Sequence, residues 1–155
     1  MSSMVSKNAT ALAFKAEGNS FFKGKEYEKA IAQYSKAIEA DAMDVTFFSN
    51  RSACYAALSR WQEAADDGRQ CVMLDKNFVK GYFRAGVAQQ SLGNLDAALD
   101  FVTRGLGIES GNKDLKNMKN ELVEAQRQQK VSGSVKVAEG QMQDGDIAGA
   151  YKTLE

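Results

Sequence analysis

The chain has 155 residues, 44% of them hydrophobic, and its 20 Lys and Arg are balanced by 20 Asp and Glu. This length suits one compact domain or a short repeat array, the apolar content argues against disorder throughout, and zero net charge gives no electrostatic reason to expect nucleic acid or an anionic membrane surface as partner. The sequence contains no histidine, which removes the commonest general base and metal ligand along with every Ser-His and Cys-His nucleophile; no metal or cofactor is expected, and the chain reads as non-enzymatic.

In chain order, residues 1–10 are polar, lack the apolar core of a signal peptide and read as a flexible lead. From residue 11 onward the sequence matches itself at a shift of 34. Phe14, Phe48 and Tyr82 align, as do Gly18, Ser52 and Gly86; further on come Tyr27, Trp61 and Leu95, then Ala30, Ala64 and Ala98, then Ala37, Cys71 and Gly105. Large residues recur with large and small with small, as packed helices require where a bulky side chain meets a close backbone. Three units follow, 11–44, 45–78 and 79–112. In each, a first helix ends at a turn (Lys23-Gly24-Lys25, Leu58-Ser59-Arg60, Leu92-Gly93-Asn94) and a second helix runs on to Asp41, Asp75 or Glu109.

Residues 113–130 place Leu115, Met118, Leu122 and Ala125 on one stripe, predicting a helix that caps the third unit. Ser132-Gly133-Ser134 reads as a hinge. Beyond it, Gly145-Asp146-Ile147 and Ala150 repeat the spacing of Gly93-Asn94-Leu95 and Ala98, so 131–155 reads as a degenerate, incomplete fourth repeat and the sequence as a piece of a longer protein. Cys54 and Cys71 fall at packing positions and are expected to be buried, reduced thiols. A cytoplasmic location follows from that expectation and from the lack of an apolar run long enough to span a membrane.

A 34-residue helix–turn–helix period with this large and small alternation resembles the tetratricopeptide repeat (TPR) family. The resemblance implies an all-α fold, a right-handed solenoid of antiparallel helix pairs with a capping helix. The proline usual near the end of a TPR repeat is replaced by Ala42, Lys76 and Ser110; proline there stops a helix and does not pack, so its loss bears on the boundaries more than on the fold.

On a helical wheel, positions two, five, six and nine of each first helix lie opposite the packing positions and line the concave face of the stack. They are Leu12, Lys15, Ala16 and Asn19; Thr46, Ser49, Asn50 and Ala53; Lys80, Phe83, Arg84 and Val87. These positions hold three cations, two carboxamides and no acid, in a chain whose charges otherwise balance. Ammonium and guanidinium groups supply charge, arginine adds a planar fork for carboxylates, and asparagine donates hydrogen bonds without repulsion. The set suits closely spaced carboxylates such as those of an acidic peptide C-terminus.

At these residues the chain resembles the carboxylate-clamp TPR domains of chaperone adaptors, of the stress-inducible organising or J-domain type. The resemblance implies that Lys15, Asn19, Asn50, Lys80 and Arg84 hold the terminal aspartate of a Glu-Glu-Val-Asp tail, with Phe22, Ala53 and Ala56 flanking the peptide's apolar side chains. The implied partners are the cytosolic seventy- and ninety-kilodalton heat-shock chaperones, bound by a monomer. Such modules are also attached to prolyl isomerases, a phosphatase and ubiquitin ligases, so a targeting domain of a larger enzyme is the alternative, as is a TPR scaffold for an unrelated peptide.

Overall fold

The structure, a computed structural model, describes the backbone of residues 2–143 and the side chains of residues 8–133. Among the described residues it is all-helical: α1 (Ser2–Lys23), α2 (Tyr27–Ala40), α3 (Val45–Ala57), α4 (Trp61–Leu74), α5 (Val79–Ser91), α6 (Leu95–Ile108) and α7 (Lys113–Gln143). Each helix packs on the next, and α3 also touches α5 while α5 touches α7, so the odd-numbered helices form one layer.

The turns inside the helix pairs share one geometry. Lys25, Ser59 and Gly93 all adopt positive φ, at 59°, 58° and 83°. The following amides of Glu26, Arg60 and Asn94 donate to the carbonyls of Phe21, Tyr55 and Gln89 at 2.8–2.9 Å. This is the left-handed helix stop that satisfies carbonyls left open at a C-terminus. It reverses the chain within a few residues, so the second helix lies back along the first. Between pairs, Asp44 caps α3 by accepting from the Thr46 amide at 2.9 Å, and Asn112 caps α7 by accepting from the Leu115 amide at 3.0 Å.

The aligned small residues are buried at the helix contacts: Ala30, Ala64 and Ala98 are at most 1% exposed. Gly68 shows why size matters there. A Cβ on it would lie 2.7 Å from the backbone nitrogen of Ala85, so α4 and α5 meet backbone to backbone. Large side chains fill the remaining space. Tyr34 and Phe47 are at most 1% exposed, and Leu115, Met118 and Leu122 of α7 pack with Ala98 and Val102 of α6. Cys54 and Cys71 are free, buried thiols, and burial pushes both up to about 12.

Two expectations change. Residues 1–10 do not precede the first helix: α1 is already helical at Ser2, and Asn8, whose side chain would suit a helix cap, lies inside it. No proline or glycine interrupts residues 2–17, and a helix nucleated by its packed segment extends one bond at a time. Nor is there a hinge at Ser132-Gly133-Ser134, because α7 runs through it to Gln143. One glycine lowers helix stability by about 1 kcal/mol without supplying a stop. The Gly145-Asp146-Ile147 turn and the remainder of the fourth-repeat assignment lie outside the described residues.

Candidate functional site

Lys15 and Asn19 lie one turn apart on α1, both half-buried. The Lys15 ammonium sits 5.9 Å from the centroid of the Phe47 ring of α3. The Tyr34 hydroxyl donates to Asn19 Oδ1 at 2.6 Å, and Asn50 Nδ2 of α3 donates weakly to the same oxygen at 3.5 Å. With its oxygen engaged from both sides, the Asn19 amide keeps its N–H donors for another partner. Tyr34 is a dependable donor: burial, and secondarily Cys54, raise its pKa to about 12.

A Cβ on Gly18 would come 2.6 Å from the Tyr34 ring, so glycine at this position lets the ring reach Asn19 next to it. The sequence reading missed Tyr34. Its position in a second helix put it outside the concave-face set, and only the three-dimensional approach of α2 to α1 reveals its role.

Lys80 and Arg84 are one turn apart on α5 and line a single cavity of about 380 Å³ with Val79, Phe83, Glu109, Asn112 and Asp114. Lys80 is exposed and Arg84 half-buried. The Arg84 guanidinium lies 5.9 Å from the Phe83 ring centroid, and its Nε is buried with no hydrogen-bond partner. Burial lowers the Arg84 pKa from its ordinary value, while the Cys71 and Cys54 thiols oppose that shift. A half-buried guanidinium whose Nε is shut off from water without a hydrogen-bond partner is predisposed to bind an anion.

The structure therefore joins Asn19 directly to Asn50, and Lys80 to Arg84 through a shared cavity. Lys15, Asn19 and Asn50 do not line that cavity. The link between the two groups is α3, which carries Asn50 and packs on α5, the helix of Lys80 and Arg84. Phe22 is 38% exposed and meets Tyr27 edge-on at 5.6 Å. Ala53 and Ala56 are half-buried, and Ala56 packs against the Ala64, Ala65 and Ala88 cluster. Ser49, placed on the concave face by the wheel, is 1% exposed with an unpartnered hydroxyl. Glu109 and Asp114 were missed because Glu109 ends the second helix of the third unit and Asp114 opens the helix after it, where the first-helix positions do not sample. Among the described residues, no cluster suits a metal ion and no helix is long and apolar enough to cross a membrane.

A family model described as TPR repeat matches residues 18–59. The first TPR of Spaghetti (RPAP3), solved bound to HSP90 peptide SRMEEVD, superposes with a TM-score of 0.76 at 30% identity, covering 77% of this chain and 95% of that one. The chain belongs to the tetratricopeptide-repeat family. A second solved structure, the second TPR domain of human RPAP3 in complex with HSP70 peptide SGPTIEEVD, is 32% identical with a TM-score of 0.73, covering 75% of this TPR chain and 97% of that one. In sequence, this TPR domain is 39% identical over 108 residues to heat shock protein STI1 of Saccharomyces cerevisiae, a match covering 69% of this chain. It spans 18% of that protein's length. It is thus related to TPR domains of co-chaperones.

Proposed function

We propose that this TPR domain is a co-chaperone adaptor module that clamps the acidic C-terminal tail, of Glu-Glu-Val-Asp type, of cytosolic seventy- and ninety-kilodalton heat-shock chaperones. Lys15, Asn19 and Asn50 bind the terminal residue's carboxylates, Lys80 joins them from α5, and Lys80 and Arg84 also reach upstream acids. Phe22, Ala53 and Ala56 flank the peptide's apolar side chains. The observation that carries the reading is the buried, unpartnered Arg84 Nε in a cavity shared with Lys80. The related domains solved with SRMEEVD and SGPTIEEVD peptides support it.

Hydrogen bonds to charged groups contribute about 1.5–3 kcal/mol each, and a short peptide buries little area. Affinity on the order of micromolar, weakened by salt, is therefore expected. The test is a titration of the domain with a fluorescent SRMEEVD peptide in free-acid and C-terminally amidated forms. The free acid should bind at least about tenfold tighter, since only it presents two carboxylates on its last residue. Equal affinity for the two forms would remove the clamp as the explanation.

A further inference from the structure

The cavity that holds Lys80 and Arg84 is also lined by Glu109 and Asp114. Glu109 follows the last residue of α6, and Asp114 lies in the first turn of α7. Both are exposed, and among the described residues no ion pair joins either of them to Lys80 or Arg84. Two basic and two acidic residues thus line one cavity without forming an ion pair across it. Each acid has a local structural role as well. Glu109 Oε2 accepts from Asn112 Nδ2 at 3.4 Å, and Asp114 complements the positive end of α7. Those roles explain acids on these two elements. They do not explain why both acidic residues line the cavity of the unpartnered Arg84.

We propose that Glu109 and Asp114 form an acidic rim that sets the charge selectivity of the clamp. The inference rests on the clamp reading above and adds a discriminating element to it. Repulsion from the rim acts at long range and penalises an anion approaching Lys80 and Arg84 in proportion to its negative charge, so a polyanion is penalised most. Hydrogen bonds from the Asn19 and Asn50 amides act at short range and reward only a carboxylate in the right place. A ligand that brings paired terminal carboxylates offsets the rim's penalty, whereas an anion lacking them is rejected. Specificity of this kind needs a repulsive element as well as an attractive one.

The full chain is titrated with three probes: free-acid SRMEEVD, its amidated form, and an amidated oligoglutamate of similar length. The proteins are wild type, Glu109→Gln, Asp114→Asn, the double variant, Asp114→Glu, and Glu121→Gln as a control acid further along α7. In the double variant the free-acid peptide should bind about threefold tighter and amidated oligoglutamate about tenfold tighter, so the selectivity ratio narrows. Asp114→Glu, which keeps the charge, and Glu121→Gln should both match wild type, and thermal melts confirm that each variant is folded. Unchanged or weaker binding by the double variant, or an unchanged ratio between probes, overturns the rim. If wild type ignores free-acid SRMEEVD, the clamp itself fails. The oligoglutamate arm, which requires no clamp, then reads the rim alone.

Discussion

Replacing Arg84 by methionine should make the domain more stable and worse at binding. Methionine keeps an unbranched chain in the half-buried site while removing the guanidinium. Leaving a buried donor unsatisfied costs about 1–3 kcal/mol, and Arg84 Nε is such a donor. Against that stands the guanidinium's position over Phe83, a contact contributing about 0.5–1 kcal/mol. The balance favours Arg84→Met by about 1 kcal/mol. The same change removes the planar fork, so affinity for free-acid SRMEEVD should fall at least about tenfold. Urea denaturation gives the first quantity, and anisotropy titration of the same preparation gives the second. Lys80→Met is the companion: Lys80 is exposed, so stability should stay within about 0.5 kcal/mol while binding falls. A destabilisation of about 1 kcal/mol or more in Arg84→Met, or undiminished binding, refutes the view that Arg84 is a charge held ready for a ligand.

Tyr34→Phe removes the 2.6 Å hydrogen bond to Asn19 without opening a cavity. It should cost about 1 kcal/mol in denaturation and weaken the free-acid peptide several-fold, through an amide no longer held in one orientation. Arg51→Ala should cost about 3–5 kcal/mol, because it strands the buried Asp67 carboxylate. Burial already raises the Asp67 pKa, and Arg51 is what draws it down. Without Arg51 the folded-state pKa rises further above the unfolded value. Stability is then fullest below the unfolded pKa and is lost as pH rises through the folded one. The deficit of Arg51→Ala should therefore shrink on acidification from neutral to about pH 5, as measured by denaturation midpoints against wild type. A deficit independent of pH would show that Asp67 is not its source.

The helix pairs were legible because each carries its own local instructions. The large and small alternation at a spacing of 34 reports side-chain packing, and the turn residues Lys25, Ser59 and Gly93 fall at the same spacing. The stripe of Leu115, Met118 and Leu122 was readable for the same reason: it is buried on one face of α7. What failed was punctuation. Polar residues 1–10 and Ser132-Gly133-Ser134 looked like breaks, yet neither contains proline, and helix ends are set by hydrogen bonds and neighbours as much as by composition. The candidate site was legible to the extent that its side chains come from equivalent positions in the first helices. Tyr34, Glu109 and Asp114 come from elsewhere, and no wheel drawn on one helix can show which residues of another will approach it.

Arg51 and Arg84 sharpen the argument for the site, because they solve the same physical problem in opposite ways. Both lie on the inner layer of helices, both are half-buried, and both guanidinium groups stand near aromatic rings. Arg51 is engaged at all three nitrogens: Nε and Nη2 donate to the two oxygens of Asp67 at 2.8 and 2.7 Å, and Nη1 donates to Ser35 at 3.1 Å. That network fastens α3 to α2 and α4, and so fixes the helix that carries Asn50. Arg84 receives no such carboxylate. The acids that line its cavity, Glu109 and Asp114, are exposed and form no ion pair with it. A half-buried cation that served only the fold would gain from a partner like Asp67, and one with no role would be stabilised by replacement with a hydrocarbon. The fold supplies that kind of partner at Arg51 and leaves it out at Arg84, which is the arrangement expected if the missing carboxylate arrives with the ligand.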